Sequence, residues 1–258
     1  MLRFKSLGSG SSGNATVVEA HGAFGVTRLL VDCGLRLKQL DERLTQAGLS
    51  ADLIDAIFVT HEHGDHIGCA RQFALRERKP LWMSHGTYQA VGMPDLDGLL
   101  MRASHGTSIQ IQDLQITPFA VPHDAQEPLQ LVCTHGPKRL GILTDLGHAT
   151  PQVLAQLAGC HALILECNHD TDLLASSSYP GFLKKRVGGQ FGHLSNQQAA
   201  EIAKAICHAG LKHVVAAHLS ERNNRPELAK QALAGAMDRD ISQIIAAHPI
   251  SGTEWLHL

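Results

Sequence analysis

Ala56-Ile57-Phe58-Val59-Thr60-His61-Glu62-His63-Gly64-Asp65-His66 decides how this chain is read. The first part, Ala56 to Thr60, is apolar and β-branched, the pattern of a buried strand. The second part crowds His61, His63, Asp65 and His66 into a few consecutive positions. From Gly68 through Arg76 the pattern turns helical, and a helix is expected to about Lys79. The metal-binding side chains therefore fall on a loop from strand to helix, the edge at which α/β sheets usually place chemistry. His61 and His63 are two positions apart and point the same way in an extended loop, so they can share one ion. Gly64 permits a sharp turn, after which Asp65 and His66 can face a second ion. Histidine is frequent here, 17 in 258 residues, so some clustering is expected by chance. A His-x-His-x-Asp-His run at the end of an apolar strand goes beyond that and points to a metal site.

A chain of this length can bury a full core, as one large α/β domain or two small ones. Hydrophobic residues make up 44% and mean hydropathy is near zero, which fits a folded globular protein and not a disordered one. No apolar run approaches the roughly 18 residues needed to cross a bilayer. Met1-Leu2-Arg3-Phe4-Lys5 does not open a signal peptide. The expectation is a cytoplasmic protein without membrane contact. The cysteines form no Cys-x-x-Cys pair, and Cys160 and Cys167 sit in apolar runs, as buried reduced thiols do. A formal net charge of −2 gives no global attraction to nucleic acid, so a polyanion must be held by metals and a local basic patch.

In chain order, strands are expected at Leu2–Leu7, Ala15–Ala20 and Thr27–Val31, the last two joined around His21-Gly22. The loop Gly8-Ser9-Gly10-Ser11-Ser12-Gly13-Asn14 is either a plain connection or a cradle for an oxyanion such as phosphate. Asp32 closes a strand, either as a turn or cap residue or as an acceptor for a ligand histidine. A helix at 36–48 stops at Gly48. Short strands follow Pro80 and run between Met101 and Val121, one of them ending at His123. Leu129–Thr134 and Arg139–Thr144 read as a hairpin. The second strand ends at Asp145, a bridging carboxylate or a helix cap. A helix over 151–158 leads to the strand Ala162–Glu166. Residues 176–192 are the least regular and most basic stretch. Their Lys184-Lys185-Arg186 is a solvated face or a contact for backbone phosphates. Ser195 caps a helix over 196–209. The strand His213–Ala217 ends at His218, a helix starts at Pro226, and Gln243–Ala247 and Thr253–His257 close the chain as strands. The order is β-rich segments followed by βα units, twice over, which suggests two packed sheets with helices outside.

The ligand run, followed by His123, Asp145 and His218 at successive strand ends, resembles the metallo-β-lactamase superfamily. Further motifs narrow the likeness to its YycJ/WalJ branch: Ser9 to Asn14, His123-Asp124, Glu166-x-Asn168-His169-Asp170, Gly192-His193-Leu194-Ser195-Asn196 and His218-Leu219-Ser220-x-x-Asn223-Asn224. This resemblance implies an α/β fold: a four-layer αββα sandwich of two mixed β-sheets flanked by helices, as a single domain over 1–258. It implies two divalent ions, zinc or manganese. His61, His63 and His123 hold the first, Asp65, His66 and His218 the second, and Asp145 bridges them. The nitrogen and oxygen donors suit those metals and disfavour calcium. The interval between Asp145 and His218 is too short for the inserted domain of β-CASP nucleases, and no long Gly/Pro-rich arm like that of ribonuclease Z is visible.

A water shared by two such cations loses its proton near neutral pH, and the resulting bridging hydroxide attacks phosphorus in line. Asp65, His193 and His169 are the candidate catalytic groups, with His193 the first choice for protonating the leaving alkoxide. His169 has the alternative of shaping a turn, and His193 that of bonding backbone. Ser11, Ser12, Asn14, Ser195, Asn196, Ser220 and Asn223 are neutral donors available to a phosphate. The branch implies a metal-dependent phosphodiesterase or nuclease, specifically a DNA exonuclease acting from the 5′ end. The alternatives are hydrolysis of a small cyclic or nucleotide phosphodiester, thioester or lactone hydrolysis, and a metal-stabilised interaction module.

Overall fold

The computed structural model describes residues 1–23 and 25–258. The first half of the chain lays down β1 (Leu2–Gly8), β2 (Ala15–Gly22) and β3 (Gly25–Val31) as an antiparallel meander. It then adds β4 (Ala56–Phe58), β5 (Leu81–Met83) and β6 (Leu100–Arg102) in parallel. The connections carry α1 (Leu37–Gln46), α2 (Gly64–Ile67), α3 (Ala70–Glu77) and α4 (His85–Ala90). The second half repeats the plan. β7 (Ile109–Ile111), β8 (Leu114–Ala120), β9 (Leu129–His135) and β10 (Lys138–Leu143) are antiparallel, and β11 (Ala162–Glu166), β12 (His213–Ala217) and β13 (Ile244–Ala246) follow in parallel. Its helices are α5 (Pro151–Leu157), α6 (Thr171–Ser176), α7 (Gly181–Val187), α8 (Asn196–Ala205) and α9 (Pro226–Met237). Finally β14 (Leu256–His257) returns to pair with β1. Among the described residues this makes two seven-stranded sheets, β14-β1-β2-β3-β4-β5-β6 and β13-β12-β11-β10-β9-β8-β7.

The layering follows from which side chains avoid water. Phe4, Val18, Leu29 and Phe58 from one sheet pack with Leu131, Ile142, Ile164 and Val215 from the other. On the outer face of the first sheet, Val17, Leu30 and Ile57 meet Leu40 and Leu44 of α1 and Phe73 of α3. On that of the second, Leu143, Leu163 and Val214 meet Val153 of α5, Ile202 of α8 and Leu233 of α9. Burial on both faces is why the parallel strands are continuous apolar runs. The result is the expected αββα sandwich. No helix among the described residues is long and apolar enough to cross a membrane.

Several elements differ from their sequence patterns. β4 ends at Phe58, so Val59 and Thr60 already belong to the site loop. The turn between β2 and β3 lies beyond His21-Gly22, because β2 runs to Gly22; Phe24, in that connection, is outside the described residues. Gly64 makes no sharp turn. It opens the helical turn α2 with open space where a Cβ would stand, and the positive φ, 27°, belongs to Gly68. The following helix starts only at Ala70, and the helix expected over 196–209 stops at Ala205. The closing strand is limited to Leu256–His257. Residues 176–192 are more ordered than their pattern suggests: α7 lies within them, with Lys184, Lys185 and Arg186 in its last turn, where the helix dipole favours cations.

One cross-strand ladder is legible in the register. Arg3, Glu19 and Arg28 stand opposite one another on β1, β2 and β3, and both guanidinium groups bond the buried Glu19 carboxylate. Burial raises the pKa of Glu19, but the two arginines outweigh it and hold the carboxyl below its ordinary 4.5. A lowered folded-state pKa contributes stability above the ordinary value, and that stability is lost as pH falls through the folded one. Replacing Glu19 by Gln should therefore cost about 2–4 kcal/mol at pH 7, since both cations lose their counter-charge. Urea unfolding at pH 7 and at pH 3 should show the gap to the unsubstituted chain closing in acid.

Candidate metal centre

Every candidate ligand, and Asp32 behind them, sits just past the end of a strand, all on one edge of the sandwich. Asp32 follows β3, His61 to His66 follow β4, His123 follows β8, Asp145 follows β10 and His218 follows β12. Two of these residues take the left-handed backbone conformation that side chains seldom adopt, Asp32 with φ 61° and His218 with φ 52°. Fixed partners hold them there. The His218 amide donates to Ser9 Oγ at 2.8 Å, and its carbonyl accepts from Asn168 Nδ2 at 3.2 Å. Asp32 Oδ1 accepts from the Thr60 amide at 2.8 Å.

The ligand atoms converge in groups. His61, His63 and His123 form one group and Asp65, His66 and His218 another. Within the first, His61 Nε2 and His123 Nε2 lie 3.0 and 3.2 Å from His63 Nδ1. Nitrogens around a tetrahedral zinc at about 2.0–2.1 Å are about 3.3 Å apart, so the spacing fits a common ion. In the second, Asp65 Oδ2 is 3.2 Å from His218 Nε2 and 3.6 Å from His66 Nε2. Asp145 stands between the two. Its Oδ2 is 2.8 Å from His66 Nε2, and its Oδ1 is 3.7 Å from His123 Nε2. Oδ2 is buried and no donor is aligned with it, despite the short approach of His66. A buried anionic oxygen beside an imidazole nitrogen, with no well-aligned donor, is a place where a cation would supply the missing charge.

The outer nitrogens of the histidines are tied down, which fixes the tautomers. His66 Nδ1 donates to Asp32 Oδ2 at 2.7 Å, His123 Nδ1 to the Gly192 carbonyl at 3.0 Å, and His218 Nδ1 to Glu166 Oε1 at 3.3 Å. His61 Nδ1 is 3.1 Å from Thr60 Oγ1. In each case Nε2 is left to face the centre, the outer-sphere pattern of metal-binding imidazoles. Of the two readings of Asp32, the geometry selects the acceptor for a ligand histidine.

Electrostatics separate the imidazoles. Burial pushes the pKa of His61 well below its usual 6.5, helped by a charged His66, and burial also lowers that of His123. Both are neutral and ready to donate lone pairs. Burial acts in the same direction on His66 and His218, but Asp145 with Asp32 raises His66 well above 6.5, and Asp145 with Asp65 and Glu166 raises His218 to about 9. Asp145 itself is opposed by burial and held well below the carboxylate range by His218 and His66.

The centre opens into a cleft of about 370 Å³ lined by Ser11, His63, Asp65, Asp145, Tyr179, Arg186, His193 and His218, among others. His193 is the non-ligand imidazole at its wall. Its Nδ1 bonds Glu166 Oε1 at 2.7 Å and lies 3.2 Å from Asp145 Oδ1. Burial disfavours its charge, but Glu166 and Asp145 overcome that and raise its pKa well above 6.5. Glu166 carries no role in the sequence reading beyond its motif. It is fully buried, accepts from the Leu146 and Leu194 amides, and orients both His193 and His218. Its signal in the sequence was a carboxylate closing an apolar strand, as Asp32 and Asp145 do.

Several of the other candidates are placed elsewhere. His169 is buried, outside the cleft lining, with Nδ1 unpartnered. Ser195 caps α8, and Asn196 exchanges side-chain bonds with Asn224, which also bonds the Cys167 carbonyl. Asn223 is buried, and Ser220 Oγ accepts from its amide. Asn14 clamps the Gly/Ser loop to the ligand turn: its amide donates to the Asp65 carbonyl at 2.8 Å, its Nδ2 to the same carbonyl at 3.1 Å. Ser11 and Ser12 are the exposed donors. Ser11 lines the cleft, and Ser12 and Ser220 line a neighbouring depression that shares Ser11 and Tyr179 with it.

A family model described as Beta-lactamase superfamily domain matches residues 27–219. The chain is 31% identical over 241 residues to exodeoxyribonuclease YycJ of Bacillus anthracis, covering 92% of this chain and 89% of that protein. It is 31% identical over 237 residues to exodeoxyribonuclease WalJ of Streptococcus pneumoniae, covering 90% and 87%. Among solved structures, the metallo-beta-lactamase fold protein YhfI from Bacillus subtilis superimposes with a TM-score of 0.76 at 16% identity, over 99% of this chain and 98% of that one, a likeness of fold.

Removing the Asp32 carboxylate charge should loosen the His66 imidazole without touching a ligand. Asp32→Asn should lower metal affinity about 10–100-fold in competition with a chromogenic chelator. In the unsubstituted protein the ion must displace protons from His66 and His218, so affinity should rise with pH through about 9 and binding should release protons. Calorimetry in buffers of different ionisation enthalpy measures that release.

Proposed function

The chain belongs to the beta-lactamase superfamily, and from that premise we propose that it is a DNA exonuclease working from the 5′ end with two divalent ions, zinc or manganese. His61, His63 and His123 would hold one ion and Asp65, His66 and His218 the other, with Asp145 between them. Such ions supply positive charge that acidifies a water and neutralises phosphate oxygens.

The observation that carries the reading is His193. Its Nδ1 is taken by Glu166, which leaves its other face toward the cleft, beside the ligand cluster. Glu166 and Asp145 raise its pKa, which favours the protonated imidazole needed by the oxygen that leaves phosphorus. An alkoxide needs that proton. A thiolate, stable near a pKa of about 8.5, does not, so the arrangement favours a phosphodiester over a thioester. The Ser11 hydroxyl on the same cleft is a neutral donor for a non-bridging oxygen. Relatives matching most of the chain bear the name exodeoxyribonuclease, which supports DNA as the substrate. A cleft of about 370 Å³ also suits a small cyclic or nucleotide phosphodiester, which is the second reading.

With manganese or zinc present, stepwise loss of label from a 5′-phosphorylated duplex is expected, and none with Asp145→Asn. Turnover of a small phosphodiester beside an inert duplex would move the assignment to the second reading. Failure on both substrates with metal bound would sink phosphodiester hydrolysis altogether. His193→Gln should lower kcat about 100-fold or more with metal content retained, which metal analysis of the same preparation checks.

A further inference from the structure

Phe4, Phe58, Phe73 and Phe119 are fully buried, whereas Phe182 is 75% exposed and Phe191 58% exposed. Leaving such rings in water forgoes the favourable free energy that the buried phenylalanines gain. Both belong to the segment that walls the metal cleft, where Leu183, Arg186, Val187 and Gly192 line the same cavity as His193. Phe182 lies one helical turn before Lys185 and Arg186 on α7, the spacing that puts residues on one face. Arg186 Nε donates to Asp124 Oδ2 at 2.6 Å, and the Asp124 amide donates to the Phe191 carbonyl at 2.9 Å. Through Asp124, Arg186 thus ties the helix that carries Phe182 to the backbone of Phe191. Asp124 Oδ1 in turn is 3.4 Å from the ligand nitrogen His123 Nε2.

We propose that this rim segment, with exposed Phe182 and Phe191 and the Lys185 of the same stretch, is a stacking platform for the unpaired bases of single-stranded DNA next to the scissile linkage. The proposal rests on the reading that DNA is the substrate. Bases stack on aromatic faces whatever their sequence, and the cations of the same stretch meet the phosphates. With a net charge of −2 on the whole chain, attraction has to be local, and α7 carries Lys184, Lys185 and Arg186 with no acidic residue in its first turn. The alternation of rings with charged groups suits a nucleic-acid strand better than the contiguous apolar patch of a protein interface.

The test uses the full, metal-loaded chain and its Phe182→Ala, Phe191→Ala and Lys185→Ala variants. Their substrates are a 5′-phosphorylated single strand, a blunt duplex and bis(4-nitrophenyl) phosphate. Each phenylalanine variant should raise KM for the single strand about tenfold or more. That loss should exceed any loss on the aryl phosphodiester by at least tenfold. Lys185→Ala should flatten the dependence of log affinity on log salt by about one. Because the rings are exposed, the melting curves should superimpose. Unchanged single-strand kinetics, or an equal loss on the blunt duplex, would overturn the platform and leave the DNA reading standing. Unchanged DNA kinetics with lost sedimentation on phosphatidylglycerol vesicles would reassign the rim to a membrane surface. An unsubstituted chain that hydrolyses the aryl ester but neither binds nor cuts DNA would overturn both readings.

Discussion

Asp145 is a carboxylate 1% exposed to solvent, with one oxygen that no donor satisfies. Burying such a group without a counter-charge is costly, and the surroundings are built to meet that demand. In the absence of metal the demand falls on His66 and His218, which stay protonated beside it. Bound divalent metal would take over that role, and the imidazoles would then act as neutral ligands. The same carboxylate lies next to His193, so the charge that organises the metal centre also loads the proposed proton donor.

Around the ligands lies a set of polar residues that hold loops and do not face the cleft. Ser9 and Asn168 hold the strained His218 turn, Asn14 fastens the Gly/Ser loop to the ligand run, and Asn196 with Asn224 joins the start of α8 to the loop after β12. Gly34 belongs to this set, because a Cβ there would stand 1.7 Å from the Asp65 carbonyl. These contacts place ligands drawn from strand ends far apart in sequence at common points, as a preorganised site requires. The cleft wall is different in kind. The segment with α7 exposes its rings and cations, which fits a surface that meets a substrate more than one that supports the fold.

The sequence by itself was enough for the strand and helix pattern, the two-sheet plan and the ligand run. These are local signals: apolar runs of strand length, helical spacing, and imidazoles packed at a strand end. Ala162–Glu166, His213–Ala217 and the helix from Pro226 are found where their patterns placed them. Errors fell at element ends and in the short helical turns, where few residues carry the signal and tertiary contacts decide. The long-range placement of a polar side chain has no comparable local signature. Ser195 and Asn196 are neutral hydrogen-bonding groups like Ser11, and only the folded chain shows that they turn to protein contacts while Ser11 meets the cleft. Glu166 gained its role in the same way, because the partnership with His193 and His218 joins three separate segments. Composition and periodicity could specify the layers, since burial of apolar surface depends on pattern. Which buried polar atoms pair, and which are left to face a metal or a substrate, was decided by the tertiary structure, because a hydrogen bond depends on position in space within a few tenths of an ångström.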